Sequence, residues 1–217
     1  MRKGQALQDN GKSKDLTIYT DGACKGNPGP GGYGAVVIRD GVRRELSGGA
    51  RRTTNNRMEL MALVAALSEL EGEFACRLQI YSDSQYLING FKKGWVAGWK
   101  RNGWLTSSRE PVQNRDLWVN LDSMLALHRH EFHWVRGHGS NAENNRCDEL
   151  AVRASQRKPL PPDDGFENPP APPPQPKGEQ PVFVRPSPKR IKPSPVNWDD
   201  DLFSPSNTGG APVNWDL

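Results

Sequence analysis

The distribution of proline limits what this chain can fold into. Sixteen of the 19 prolines lie in the last 60 of 217 residues, from Lys158 onward. That region includes the segment NPPAPPPQPKGEQP and has no apolar periodicity, a composition typical of disordered segments. We therefore predict a flexible N-terminus at 1–14, one folded domain at 15–157 and a Pro-rich disordered tail at 158–217.

Charge divides along the same boundary. The tail holds 6 Lys and Arg against 8 Asp and Glu, whereas residues 1–157 hold 23 against 17. A basic domain favours a polyanionic partner, although solubility alone would explain the same excess.

Cysteine usage and hydropathy exclude several classes of protein. The three cysteines are widely spaced and odd in number, which argues against a disulfide framework. No apolar run approaches the ~20 residues that span a bilayer, and the N-terminus lacks an apolar secretory core. We expect a cytoplasmic protein with no membrane partner, and we expect a monomer because no segment indicates a dimer.

The order of apolar patterns predicts an α/β fold. LTIYT reads as a strand, and the next two strands meet at the turn dipeptide Asp40-Gly41. The segment NNRMELMALVAALSEL has helical spacing, with Asn55 or Asn56 as its cap. RLQIYSD and EFHWVRG read as the fourth and fifth strands, and SQYLINGF, NRDLWVNLDSMLALHR and AENNRCDELAVRAS read as helices. The order predicts a mixed five-stranded sheet with helices on both faces.

Four acids fall at the ends of these elements. Asp21 and Asp83 follow the first and fourth strands, and Glu59 and Asp148 lie in the first turns of helices. If those strands are neighbours, the acids converge at a switch point of the sheet. Each acid alone is explained equally well as a cap or a surface charge, but their joint placement favours a site for Mg²⁺ or Mn²⁺.

A glycine- and proline-rich segment surrounds Asp21. Eight of the 13 residues from Gly22 to Gly34 are glycine or proline. We expect this backbone to turn sharply near Asp21 and to come close to a bulky substrate. The packing of a tight turn would explain some of these glycines as well.

Four segments together resemble the signature of type 1 ribonuclease H. They are YTDGACKGNPGPGGYGAV, TTNNRMELMA, YSDSQY and VRGHGSNAENNRCDELA, in the order and spacing of that family. The resemblance implies a ribonuclease H-like fold and endonucleolytic cleavage of the RNA strand of RNA–DNA hybrids, with 5′-phosphate and 3′-hydroxyl ends. It also implies two Mg²⁺ ions per site, with Mn²⁺ as a substitute, held by Asp21, Glu59, Asp83 and Asp148.

The resemblance also implies substrate contacts. The positions that match the family's contacts to the RNA 2′-hydroxyls are Cys24, Asn27, Asn55 and Gln85. Thr54 and Asn55 resemble the family's pocket for a DNA-strand phosphate. The segment FKKGWVAGWKRNGW resembles the basic protrusion that grips the DNA strand, through Trp99, Lys100, Arg101 and Trp104, with Trp95 as a structural residue. His138 matches the loop histidine of the family and is expected to transfer protons and assist product release.

Two other functions are compatible with parts of this pattern. An integrase or transposase of the same broad fold would act on duplex DNA, but such enzymes typically use three acids and lack the basic protrusion. A non-catalytic hybrid-binding module would be expected to lose at least one acid, and none is missing.

The tail repeats one short motif that the resemblance does not cover. PVNWD occurs at 195–199 and again at 212–216, so that Trp198 and Trp215 each stand beside acids. Acidic and aromatic peptides of this kind dock into grooves with basic rims, and two copies raise avidity. We predict that the tail recruits a protein partner of replication or repair, although a neutral extension would have the same composition.

Overall fold

The computed structural model describes residues 15–169, which contain five strands and six helices. The strands are β1 (Asp15–Cys24), β2 (Gly29–Arg39), β3 (Val42–Thr53), β4 (Arg77–Ser82) and β5 (Arg129–Trp134). The helices are α1 (Asn55–Ser68), α2 (Gln85–Lys92), α3 (Trp95–Arg101), α4 (Arg115–Leu125), α5 (Ala142–Ser155) and α6 (Asp164–Glu167). Among these helices, none combines the length and hydropathy that crossing a membrane requires.

The strands form one mixed sheet in the order β3-β2-β1-β4-β5. The first three pair antiparallel, while β4 pairs parallel with both β1 and β5. This arrangement confirms the predicted mixed sheet. The parallel register of β1 and β4 ends at Thr20 and Ser82, so the next residues, Asp21 and Asp83, lie at the same edge.

The first hairpin turns at the predicted dipeptide. Asp40 and Gly41 have φ values of 51° and 74°, the positive values that a two-residue type I′ turn requires. However, β1 continues through Asp21 to Cys24, which pairs with Gly31 of β2. Most of the glycine-rich segment is therefore strand, and the sharp turn predicted near Asp21 lies at 25–28, between β1 and β2.

Helices cover both faces of the sheet. Leu16 and Ile18 of β1 belong to the main core, together with buried residues of α1 and the fully buried Trp118 of α4. On the opposite face, Cys147 and Leu150 of α5 pack against Val36 of β2.

Tight helix packing accounts for two glycines beside the acids. A Cβ on Gly22 would lie 2.5 Å from the backbone nitrogen of Glu59 in α1, and one on Gly34 would lie 2.2 Å from the carbonyl oxygen of Cys147 in α5. Both distances are too short for a side chain, so these positions accept only glycine. Helix packing thus explains these two glycines, and the approach of a bulky substrate to Asp21 stays a prediction.

The folded domain extends beyond residue 157. We call residues 158–169 the C-terminal segment. In it, the carbonyl of Pro161 accepts a hydrogen bond of 2.8 Å from the backbone nitrogen of Arg51. Glu167 forms an ion pair of 2.8 Å with Arg51, and Arg52 lies 5.8 Å from the ring centre of Phe166. The predicted boundary at 157 is therefore wrong.

Asp163 anchors the C-terminal segment. Its carboxylate is 4% exposed, accepts hydrogen bonds of 2.7 and 2.8 Å from Arg57 and accepts another of 2.6 Å from Thr53. Arg57, itself 2% exposed, also donates to Asp116 of α4 at 2.9 and 2.7 Å. One guanidinium thus joins α1, α4 and the C-terminal segment. The predicted N-terminus at 1–14 and the remaining tail, with Trp198 and Trp215, lie outside the described residues.

Candidate active site

Three of the four predicted acids meet at one edge of the sheet. Asp21 lies on β1, Asp83 follows β4 and Glu59 lies on α1. Each of them offers a carboxylate oxygen, and these oxygens all lie within 4.8 Å of one another. Such a cluster of hard oxygen ligands suits Mg²⁺ or Mn²⁺ better than zinc.

Glu59 is the most buried member of the cluster. Its side chain reaches the site because Gly22 allows α1 to pack closely on β1. The residue is 5% exposed, and its Oε1 atom accepts a weak hydrogen bond of 3.4 Å from Asn55. Its Oε2 atom is buried without a hydrogen-bond partner among residues 15–169. A buried carboxylate oxygen without a partner is costly, and a bound cation would satisfy it.

Burial and mutual repulsion raise the pKa values of the acids. Burial, together with the charges of Asp83 and Asp148, raises the pKa of Asp21 to about 8. Burial also raises the pKa of Glu59 well above its usual range, with Asp21 and Asp83 adding to the effect. Ionised acids in this cluster therefore need a compensating positive charge.

Asp83 is held at the end of β4 by close backbone packing. A Cβ on Gly137 would lie 2.3 Å from its Oδ2 atom, so a side chain at position 137 would displace the carboxylate. Burial raises the pKa of Asp83, while the nearby amide of Asn144 and the charge on His138 lower it. Asn144 is 1% exposed in the first turn of α5. The sequence analysis did not select Asn144, although its position three residues after the N-cap Asn141 was a usable signal.

Asp148 and His138 lie at the more open side of the cluster. Asp148, on α5, is close enough to Asp21 to raise the pKa of that residue. The Nδ1 atom of His138 lies 3.7 Å from the Oδ2 atom of Asp148. The imidazole is 84% exposed, and its loop backbone has a φ of 50°. The structure thus brings the fourth acid and the predicted histidine to the same site.

Four predicted substrate contacts surround the start of α1. Asn27 accepts a hydrogen bond of 3.1 Å from the backbone of Asn55, and the Cys24 thiol donates to the Thr53 carbonyl at 3.5 Å. Thr54 is the N-cap of α1 and accepts from the backbone of Arg57 at 3.4 Å. The predicted cap at Asn55 or Asn56 is therefore wrong, and the amide of Asn55 reaches Glu59 instead.

Gln85 begins α2, two residues after Asp83. Ser84 caps that helix by accepting from the backbone of Leu87 at 3.3 Å, which leaves the Gln85 side chain exposed. The predicted 2′-hydroxyl contacts therefore flank the acidic cluster from α1 and from α2.

The basic protrusion corresponds to α3 and its flanks. Trp99 packs against the core with its ring centre 5.7 Å from that of Trp118, and Trp104 is partly buried as well. Trp95 is 36% exposed and its ring centre lies 6.2 Å from that of Trp99, so its structural role stays a prediction. Lys100 forms an ion pair of 2.7 Å with Asp122 of α4. Arg101 has no ion pair within residues 15–169, which makes it the more available cation of the two.

An acidic cluster at the switch point of this mixed sheet is the arrangement expected of a metal-dependent nuclease with the ribonuclease H-like fold. The RNase H family model matches residues 13–156. A ribonuclease H of Nitratidesulfovibrio vulgaris (strain Miyazaki F) is 52% identical over 153 residues, which are 70% of this chain and 97% of that protein. A ribonuclease H of Moorella thermoacetica is 54% identical over 151 residues, with 68% and 98% covered.

A solved structure agrees with these relatives. LC9-RNase H1, described as a type 1 RNase H with the type 2 active-site motif, has a TM-score of 0.59 and 32% identity, over 66% of this chain and 72% of that one. The chain belongs to the ribonuclease H family and is a type 1 ribonuclease H.

Proposed function

We propose that this ribonuclease hydrolyses the RNA strand of RNA–DNA hybrids by two-metal-ion catalysis, leaving 5′-phosphate and 3′-hydroxyl ends. The observation that carries the proposal is the convergence of Asp21, Glu59 and Asp83, whose carboxylate oxygens lie within 4.8 Å of one another. Bound Mg²⁺, or Mn²⁺ in its place, would activate a water molecule and stabilise the leaving oxygen.

The residues of the chain have separate roles in this proposal. Asp21, Glu59, Asp83 and Asp148 hold the cations, and the buried oxygen of Glu59 without a partner supports that role. Cys24, Asn27, Asn55 and Gln85 present small polar groups and backbone amides to the 2′-hydroxyls that distinguish RNA from DNA. Thr54, Asn55 and the protrusion position the DNA strand.

The proposed substrate is tested by incubating the full chain and Mg²⁺ with labelled RNA–DNA hybrid, duplex DNA and duplex RNA. We expect cleavage of the RNA strand of the hybrid and of neither control, and no cleavage with EDTA. Cleavage of duplex DNA would support a DNA-acting nuclease of the same fold. Hybrid binding without cleavage would support a non-catalytic module.

His138→Ala is expected to lower turnover by about 10²-fold or less while hybrid affinity is kept. This is the usual contribution of one acid–base group, and the exposed imidazole lies 3.7 Å from Asp148. Single-turnover rates and binding constants measure the effects on turnover and on affinity separately. The control is His130→Ala, which replaces an exposed histidine of β5. A complete loss of activity would show that His138 has a larger role than proton transfer.

Arg101→Ala is expected to weaken binding to all hybrid sequences alike and to reduce the slope of log affinity against log salt by about 1. Arg129→Ala, an exposed cation on β5 outside the protrusion, is the matched control. Fluorescence anisotropy across a salt series measures both slopes. Equal effects of the two substitutions, or a loss that depends on sequence, would contradict the phosphate contact.

We propose that the tail after Pro169 recruits a protein partner through the repeated PVNWD motif and is dispensable for chemistry. The support is the sequence alone, in which Trp198 and Trp215 stand beside acids. Trp198→Ala with Trp215→Ala is expected to lose specific proteins from a pull-down in native extract while cleavage is unchanged. Retention of the same proteins by the double variant would contradict the proposal.

A further inference from the structure

A basic cavity lies on the α5 side of the sheet, outside the acidic cluster. It has a volume of about 740 Å³ and is lined by the end of β1, the end of α5 and the start of the C-terminal segment. Four cationic residues line it: Lys25, Arg51, Arg157 and Lys158. No acid lines the cavity, so the arrangement favours an anionic occupant.

Three of these four charges are available to a ligand. Arg51 is committed to Glu167 at 2.8 Å. Within residues 15–169, neither Lys25 nor Arg157 nor Lys158 lies within ion-pair distance of a carboxylate, whereas Arg43 and Arg146 pair with Glu45 and other acids on the same domain.

Arg157 is also held in place without losing its charge. Its guanidinium donates a hydrogen bond of 3.1 Å to the hydroxyl of Ser47 on β3. A neutral partner of this kind orients the side chain and leaves its positive charge uncompensated.

The cavity and the acidic cluster both border β1. Successive side chains of a strand point to opposite faces, so Ala23 shares the face of Asp21, and Ala23 lines the cavity. Gly22 faces the other way, toward α1, while Cys24 lines the cavity and its thiol donates to the Thr53 carbonyl. Lys25 follows Asp21 by four residues, which corresponds to about 13 Å of strand at ~3.3 Å per residue.

A similar distance separates the cavity from the acidic cluster along α5. Ser155, which lines the cavity, follows Asp148 by seven residues, or about 10 Å at 1.5 Å per residue. If the helix axis of the hybrid runs along β1, distances of ~10–13 Å correspond to about three or four nucleotides at ~3.4 Å of axial rise each.

The side of the sheet decides which strand would reach the cavity. The proposed DNA-strand contacts, Thr54 and the protrusion, lie with α1 and α3, on the side of the sheet that faces away from α5. In the proposed function, the scissile RNA phosphate would lie between Asp21 of β1 and Asp148 of α5. The strand that continues past them toward Lys25 is therefore the one being cut.

We propose that Lys25, Arg157 and Lys158 bind phosphates of the RNA strand about three or four nucleotides from the cleavage site. The proposal rests on the proposed function. A structural alternative is that cations at the end of α5 stabilise the helix dipole. That alternative does not account for Lys25, which belongs to the segment after β1.

The test measures hybrid affinity of the full chain, in an Asp21→Asn background that prevents cleavage, over a salt series. The triple substitution of Lys25, Arg157 and Lys158 by Ala is expected to reduce the salt slope by about two to three. Arg129→Ala, an exposed cation on β5, is the control and should leave the slope within about one. Thermal unfolding of each variant shows whether the fold is kept.

A second arm identifies the strand. Single methylphosphonates are placed at successive positions of the RNA strand on both sides of the cleavage site, and then in the DNA strand. We expect a methylphosphonate at one position, about three or four nucleotides from the cut, to weaken hybrid binding by the unsubstituted protein by about 10-fold. The same modification should leave hybrid binding by the triple variant unaffected.

Three outcomes would overturn the proposal: an unchanged salt slope, a loss of stability without a change in affinity, or sensitivity that follows the DNA strand. Failure of the proposed function is distinguishable, because it would appear as absence of hybrid cleavage by the unsubstituted chain. Hybrid cleavage together with an unchanged slope in the triple variant would refute only the phosphate surface.

Discussion

Asp21→Asn is expected to lower hybrid cleavage by at least about 10³-fold. The amide cannot supply the charge that holds a divalent cation, and such cations contribute several kcal/mol to stabilising a transition state. Asp83→Asn should behave in the same way, because both carboxylates belong to one cluster within 4.8 Å. Single-turnover cleavage of a labelled hybrid in Mg²⁺ measures the loss.

The same substitution should not weaken the fold. Burial raises the pKa of Asp21 to about 8, against about 4 in an unfolded chain. Ionising this residue therefore destabilises the metal-free fold progressively as the pH rises from about 4 to about 8. In EDTA, Asp21→Asn should raise the unfolding temperature at pH 8 and leave it unchanged at pH 4. Turnover close to that of the unsubstituted protein, with contaminating nuclease excluded, would refute the metal role.

Asp163→Ala is expected to lower the free energy of unfolding by about 3 kcal/mol, because it removes one partner from a buried ion pair. Arg57 is 2% exposed and would keep only Asp116, while Thr53 would lose the acceptor of its 2.6 Å hydrogen bond. Denaturant unfolding measures the change.

The neighbouring Asp164→Ala is the matched control, since Asp164 is exposed and should change stability by less than about 0.5 kcal/mol. Truncation separates the two parts of the C-terminal region: a chain ending at Pro169 should keep cleavage within a few-fold, whereas one ending at Arg157 should be strongly destabilised. Equal stability of the two truncated chains would contradict the anchoring role of Asp163.

Local patterns in the sequence were sufficient to predict the sheet and the acids. Alternating and helical apolar spacing located the five strands and three of the long helices, and the order of elements predicted the mixed topology that the structure confirms. Asp21 and Asp83 could be paired because parallel neighbours place their carboxyl ends at one edge.

Features that depend on distant partners were beyond the sequence. Asp163 lies in a proline-rich region, and its role depends on Arg57, 106 residues earlier in the chain. From the sequence, Gly22 and Gly34 were interpreted as part of a turn. In the structure they are required by the close packing of α1 and α5, which come later in the chain. Exposure at the protrusion likewise depends on Trp118, which covers Trp99 and leaves Trp95 more accessible.

The most direct test of hydrolysis at this site is cleavage of an RNA–DNA hybrid in ¹⁸O-labelled water, followed by mass spectrometry of the products. Attack by water with the 3′-oxygen as the leaving group places one ¹⁸O atom on the 5′-phosphate of the downstream RNA fragment and leaves a 3′-hydroxyl on the upstream one. We expect that result, and we expect it to require Mg²⁺ and intact Asp21. A 2′,3′-cyclic phosphate without ¹⁸O, or label on a 3′-phosphate, would contradict the account.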